Sequence, residues 1–339
     1  MASLKQNHVF RNIILVLLPI VTAIICMGIG RMSMGPGEIV TNLFEIAAHG
    51  PESVDPQIYS VLISVRLPRI ILAVLCGAGL AVSGAAFQSI FSNALATPDT
   101  LGVAAGSSFG AALALLLGMG LITVQVSALA IGFVAVLMTY IISRQKSGAS
   151  TVMVILSGMV IASLFEAGIS IIKFIADTES QLPAITYWLM GSLANTNFSS
   201  LALGAPFIVA GIVIIFALRW KLNVLMLSED EAKTMGVNIR VMRVIVALAA
   251  TMITASCVSM CGQVGWVGLL IPHICRMLFG SNNQSIVPAS ISLGAVFLLI
   301  MDTVARSATA AEIPISILTS VIGAPFFIIL LKKTGGSNL

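Results

Sequence analysis

Charge is what this sequence has least of. Only 9% of its 339 residues are Asp, Glu, Lys or Arg, against 58% hydrophobic residues, where a soluble domain carries about 25% charged residues. Seventeen basic and thirteen acidic side chains cannot coat a water-soluble globule of this length. That excludes a cytosolic enzyme, a secreted domain and a disordered chain. The apolar runs are too long for the roughly ten-residue alternating strands of a membrane barrel. An all-α polytopic membrane protein remains. The formal net charge of +4 is small, so no nucleic-acid partner is expected, and basic residues in such a chain report orientation.

Further absences narrow the chemistry. The five cysteines (Cys26, Cys76, Cys257, Cys261 and Cys275) contain no C-x-x-C pair and read as small buried hydrophobes. Cys257 and Cys261, with His273 and Cys275 following, are a weak basis for a metal site; no metal or cofactor is expected. There is no G-x-x-x-x-G-K-[ST], so any ATP must be bound by another chain. No cluster of His, Asp, Glu, Ser or Cys gathers at one membrane depth, which argues against a membrane enzyme. His273, beside Pro272, reads as structural, and no catalytic residue is expected. A stand-alone secondary transporter would place ionisable residues in several spans; only Glu166 lies well inside an apolar run. An intramembrane carboxylate is costly and is a functional candidate by default. Three readings of Glu166 stand open: lining a path, pairing with Lys173, or packing in the protonated form.

What is present is apolar length. A helix needs about 20 apolar residues to cross a bilayer. The runs 12–30, 70–98, 100–143, 147–176, 201–218, 244–275, 277–301 and 313–331 hold ten spans. The third run takes two, with a hinge at Gly118-Met119-Gly120. The sixth run also takes two, both abbreviated around Gly262, Gly265 and Gly268. The first run is too long for a signal peptide, and no A-x-A site follows it. With the N-terminus in the cytoplasm, twelve Lys and Arg fall inside and five fall outside (Arg31, Arg66, Arg69, Lys173 and Arg306), as the positive-inside rule asks. An even number of spans returns Lys332-Lys333 to the cytoplasm. The whole chain, 1–339, then reads as a single membrane domain: a first span in 1–31, an outer loop in 32–69, spans two to six in 70–218, a cytoplasmic segment in 219–243, and spans seven to ten in 244–331.

The cytoplasmic segment carries a local signal. Ser228 followed by Glu231 is a capping-box pattern. Glu229, Asp230 and Glu231 occupy a first turn, where the helix dipole favours anions, and Gly236 suits the position after the last turn. A short helix is expected there, either as a solvated connector or as a docking element able to pass an outside push into the membrane.

Several strings also resemble a known family. Val65-Arg66-Leu67-Pro68-Arg69 followed by Gly77-Ala78-Gly79-Leu80-Ala81-Val82-Ser83-Gly84-Ala85-Ala86-Phe87-Gln88 is similar to the second span of the permeases of type II ABC importers, which carry iron–siderophore complexes, haem or vitamin B12. The likeness continues in Ser92-Asn93-Ala94-Leu95-Ala96-Thr97-Pro98-Asp99-Thr100-Leu101-Gly102 and in Tyr187-Trp188-Leu189-Met190-Gly191. It goes on through Glu231-Ala232-Lys233-Thr234-Met235-Gly236-Val237, Gly265-Trp266-Val267-Gly268-Leu269-Leu270-Ile271-Pro272-His273, Asp302-Thr303-Val304-Ala305-Arg306 and Gly323-Ala324-Pro325-Phe326-Phe327. No one string is specific; this many in order is.

The resemblance implies ten helices in two inverted-topology halves, as in the vitamin B12 importer permease, within the bacterial inner membrane and with both termini cytoplasmic. It implies a second permease chain (identical or a paralogue), two ATP-binding subunits below and a substrate-binding protein outside. The cargo it implies is an iron–siderophore complex, with haem, cobalamin and oxyanions as alternatives. Arg66, Arg69 and Arg306 match the arginines that receive acidic side chains of the binding protein; the plainer reading is that they anchor helix ends. Asp302, four residues before Arg306, is placed to compete for it. Ser228, Glu229, Asp230, Glu231, Ala232 and Gly236 match the ATPase coupling helix, with small Ala232 and Gly236 allowing close approach. Asn93, Leu95 and Thr151 match the inner gate. Two departures are Ala94, where proline usually follows the asparagine and whose absence loosens the turn, and Trp266, where phenylalanine is commoner.

Overall fold

The computed structural model describes residues 2–30, 32–144, 151–227, 229–309 and 311–334, and among them regular structure is helical, with no strand. Helix α1 spans Ala2–Gly28 and leaves Ile13, Val16, Leu17, Ile20 and Val21 exposed, as an outer helix does in lipid. A second helix, α2 (Pro36–His49), starts on a proline at its first position and ends at Gly50, the asymmetry expected of helix ends. The short α3 (Pro56–Tyr59) passes through a π-helical stretch, Ser60–Arg66, into α4 (Leu67–Ile90). Pro68 has no N–H to give to Ser64 four residues back, and the wider winding before it absorbs that defect. The result is an unbroken apolar helical run from Pro56 to Ile90. Residues 32–69 are therefore mostly helical, where the sequence suggested a loop, because the polar residues there lie on helix faces and caps.

A 3-10 turn, Pro98–Leu101, leads to α5 (Val103–Leu116) and α6 (Leu121–Ser143), with Gly118 at φ 66° in the hinge between them. Then come α7 (Thr151–Ile175), α8 (Gln181–Leu189), α9 (Phe198–Ala217), and the short α10 (Lys221–Val224) and α11 (Glu229–Thr234). The chain closes with α12 (Ile239–Cys261), α13 (Val267–Phe279), α14 (Asn283–Ser307) and α15 (Ile315–Thr334). Among the described residues seven stretches are long and apolar enough to cross a membrane, and three shorter apolar helices join them: the ten expected. One expectation fails. The seventh span, α12, is 23 residues and intact; only the eighth, α13, is abbreviated, at 13 residues, and the third, α5, is short at 14. The glycines begin after Cys261, so they break the chain between α12 and α13 and leave α12 whole.

The buried α4 is the axis of the bundle. A methyl group at Gly77 would strike the Gly294 carbonyl of α14, and one at Gly84 would strike Gly268 of α13. Close backbone approach at small residues is how helices associate where lipid removes the hydrophobic drive. Against α12, Ser83 Oγ lies 2.9 Å from Thr254 Oγ1, pairing two hydroxyls that lipid could not satisfy.

Candidate functional site

The sequence-predicted residues fall at three places: one end of the bundle, the opposite end, and a cavity between. At the first end Arg66, Arg69 and Arg306 come together, but none points freely outward. Arg69 is 8% exposed. Its Nη2 lies 2.8 Å from Asp302 Oδ1 and its Nε donates to the same carboxylate at 2.9 Å, while Nη1 and Nη2 donate to the two oxygens of Glu312, each at 2.9 Å. The guanidinium fork is fully used by two carboxylates. Arg66 donates to the carbonyls of Met27, at 2.5 Å, and Met32. Arg306 donates to those of Cys26 and Ile29, with Asp302 3.7 Å from its Nε. The last turn of a helix leaves carbonyls without partners, so two arginines, Arg66 from the π-helical stretch before α4 and Arg306 from α14, cap the C-terminal end of α1. Gly30 lies between them, its Cβ position 3.0 Å from each guanidinium, so a side chain there would part them. The competition anticipated for Arg306 goes mainly to Arg69, whose fork reaches Asp302 more closely.

At the opposite end Arg11 of α1 lies over the Phe279 ring at the close of α13, and Arg276 donates to Gln88. Here α10 and α11 sit. Among the expected coupling residues, Ser228 lies outside the described residues, as do the side chains of Glu229 and Asp230. The short helix forms as the capping pattern predicts. Gly236, at φ 71°, reverses the chain and Val237 N–H returns to Ala232 O at 3.2 Å, a Schellman-type close. Ala232 is fully buried within its own chain, so its small size serves internal packing and its methyl does not face a partner; Glu231 is exposed. Asn93 Oδ1 accepts the Leu95 N–H at 2.8 Å, so this side-chain turn closes without the usual proline, against the loosening expected from Ala94. Leu95 is exposed. Thr151 opens α7, and its side chain lies outside the described residues.

Between the ends is a cavity of about 340 Å³. It is lined by Leu80, by Thr97, Pro98 and Asp99, by Ala162 and Glu166 of α7, by Thr254 and Val258 of α12, by the broken stretch 263–266, and by Ser316 and Ser320 of α15. Glu166 thus faces the cavity, and its carboxylate makes no ion pair with Lys173; seven residues along a helix is about 10 Å of rise. Among the described residues the lining carries two carboxylates, Asp99 and Glu166, four hydroxyls and the Gln263 amide, and no Lys, Arg or His. Gln263 is held by a 2.9 Å bond from its Nε2 to Ser108 Oγ. Trp266 adopts φ 70°, a conformation uncommon without glycine. Its ring lies on Gly323 and meets Phe327 at 6.3 Å, edge to face. Only the glycine at 323 leaves room for that indole, which fixes the mouth of α13 against α15.

Sequence reasoning missed Asp99, Glu312 and the α14 cap described below. Asp99 lies within a string the sequence displays, but nothing local marks it as facing a cavity. Glu312 has no local signal at all. The candidate metal cysteines lie in the core: Cys261 Sγ is 3.8 Å from Cys76 Sγ and 3.0 Å from Cys257 O. Among the described residues no group of three or more His, Cys, Asp or Glu is arranged to hold a metal ion.

Comparison with known proteins places this geometry in context. The pattern of the FecCD transport family matches residues 17–333. The chain is 42% identical to the molybdate import system permease protein MolB of Haemophilus influenzae over 96% of each chain. It is 36% identical to the Fe(3+)-citrate import system permease protein YfmE of Bacillus subtilis, over 97% of this chain and 96% of that one. Among solved structures it is similar, with a TM-score of 0.85 and 41% identity, to an inward-facing transporter described as of metal-chelate ABC type, covering 95% of this chain and 98% of that one.

Proposed function

Because this chain belongs to the FecCD transport family, as a non-catalytic permease subunit of an ABC importer, we propose how its parts divide the work. The arginine end faces outward and receives a substrate-binding protein. The end carrying α11, with both chain termini, faces the cytoplasm, where two ATPase subunits engage α11 and its flanks. The observation that carries this reading is the position of α11: a capped helix with a buried anchor, held at the bundle end opposite the arginines.

A second permease chain completes the path. Glu166 is exposed on a single chain, and a carboxylate facing lipid is costly. The face formed by α7 and α15 therefore meets protein or a water-filled path, and a second copy or a paralogue supplies the other wall. ATP-driven closure of the motor moves α11 and alternates access to the cavity.

For the cargo we propose a molybdate-type oxyanion, on the 42% identity over 96% of both chains to a molybdate permease. The hydroxyls of Thr97, Thr254, Ser316 and Ser320 offer it hydrogen bonds, while Asp99 and Glu166 repel it, so the cavity holds the anion weakly and the carboxylates limit its rate of passage. A second reading, an iron–siderophore complex, is favoured by those same carboxylates and the absence of a cation among the lining residues. Purify the partner binding protein and measure its metal content, then assay uptake of labelled molybdate and labelled ferric chelate into proteoliposomes holding the full complex. Molybdate in the partner and in the vesicles supports the first reading; ferric chelate alone in both overturns it. Replacing residues 229–236 by a Gly-Ser tether abolishes ATPase co-purification if α11 engages the motor, and unchanged uptake would end that assignment.

A further inference from the structure

Helix α14 is gripped at both ends and in the middle. At its start Asn282 Oδ1 accepts the Gln284 N–H at 2.9 Å, an ordinary cap. The next orphan donor, Asn283 N–H, goes to Asn223 Oδ1 at 2.9 Å, and Asn223 Nδ2 donates to Asn282 Oδ1 at 2.9 Å. Asn223 therefore caps α14 from α10, in the stretch that leads into α11. That stretch is anchored by Leu222, Val224 and Leu225, all buried, as is Ala232 of α11. Midway along, Gly294 meets Gly77 of α4 backbone to backbone, with no side chain between them. At the far end Asp302 takes Arg69, and Arg306 takes the carbonyls at the end of α1.

Twenty-five residues of helix make a rod about 37 Å long. At that glycine pair the two backbones touch, with Leu298 and Ala81 packed beside them, so a tilt of the rod pivots there. Movement of the Asn223 end then reappears, reversed, at the Asp302 end. We infer that α14 is the transmission lever of the importer and that Asn223 is the positioning residue tying it to α11, so that the motor's state reaches the Arg69–Glu312 contact. This rests on the reading that α11 receives the motor.

The test uses the full complex with its ATPase subunits. A cysteine at Ala311, which is exposed on the connection after α14, reports the far end, since the five native cysteines are buried. In the parent, trapping the motor with ATP and vanadate changes the rate at which an impermeant maleimide modifies the cysteine of A311C. Asn223→Ala is expected to keep ATPase co-purification and hydrolysis, to lower uptake per ATP about tenfold for two lost hydrogen bonds, and to abolish the trapping response at position 311. Asn223→Asp, which keeps the acceptor for Asn283, falls between. Parent-like coupling and trapping response in Asn223→Ala would overturn the lever. If that variant does not accumulate, parent-like behaviour of Asn223→Asp does so instead. Loss of co-purification in Asn223→Ala alone would make Asn223 a motor contact and also overturn its positioning role. Failure of the parent itself to bind an ATPase would strike the importer reading and is told apart by that control.

Discussion

Arg69 of α4 and Asp302 of α14 meet at 2.8 Å, with the carboxylate fully buried and the guanidinium shared with Glu312. This joins the central helix to the lever at one bundle end. Two buried charges stabilise little relative to an apolar pair, but removing one partner strands the other. Arg69→Ala is therefore expected to cost about 3–5 kcal/mol, read as a fall in the thermal midpoint of the detergent-purified protein. The double variant Arg69→Met with Asp302→Leu should lose less than Arg69→Ala alone; an equal or larger loss would contradict this account.

Arg66 caps α1 with a fork that reaches two carbonyls, Met27 and Met32, and lysine cannot reproduce that geometry. Arg66→Lys is expected to speed amide exchange at Met34, whose N–H bonds to Gly28 O, by about tenfold for a lost hydrogen bond from a charged donor. Unchanged exchange there would mean that Arg66 does not hold the end of α1.

Gly84 of α4 leaves no room for a methyl group against Gly268, whereas Gly37 of α2 has open space around it. Gly84→Ala should destabilise by about 1–3 kcal/mol through overpacking. Gly37→Ala, in an exposed helix turn, should be neutral or slightly stabilising. Thermal scans of the two purified variants give the comparison, and equal midpoints would refute the contact.

Glu166 faces the cavity without an ion-pair partner among the described residues, and one charge in a partly wet site is worth about 1 kcal/mol. Glu166→Gln should therefore change initial uptake by about fivefold. The sign separates the cargo readings: uptake of an anion rises, and uptake of a cationic or neutral metal complex does not. A variant with unchanged uptake of both would remove Glu166 from the path.

How much was legible in the sequence differs between these features. The short helix at 229–236 follows from a capping pattern and a glycine, both local. The hinge at 118–120 follows from two glycines in an apolar run. The abbreviated seventh span was misread because apolar length alone does not say on which side of a glycine cluster a helix ends. Glu166 stands out in the sequence as a charge inside an apolar run, whereas Asp99, which lines the same cavity, does not, because its place there depends on α7, α12 and α15 packing around it.

Composition and run length determined the class of this protein, its solvent and its ten apolar spans, because burial in lipid is a demand on each residue separately and shows in the residue types. Tertiary structure alone decided what the arginines do. Arg69 finds its partners 233 and 243 residues away, and Asn223 finds its partners 59 and 60 residues away. A side chain's charge is written in the sequence, but its partner is chosen by which helices cross and where glycine lets them approach.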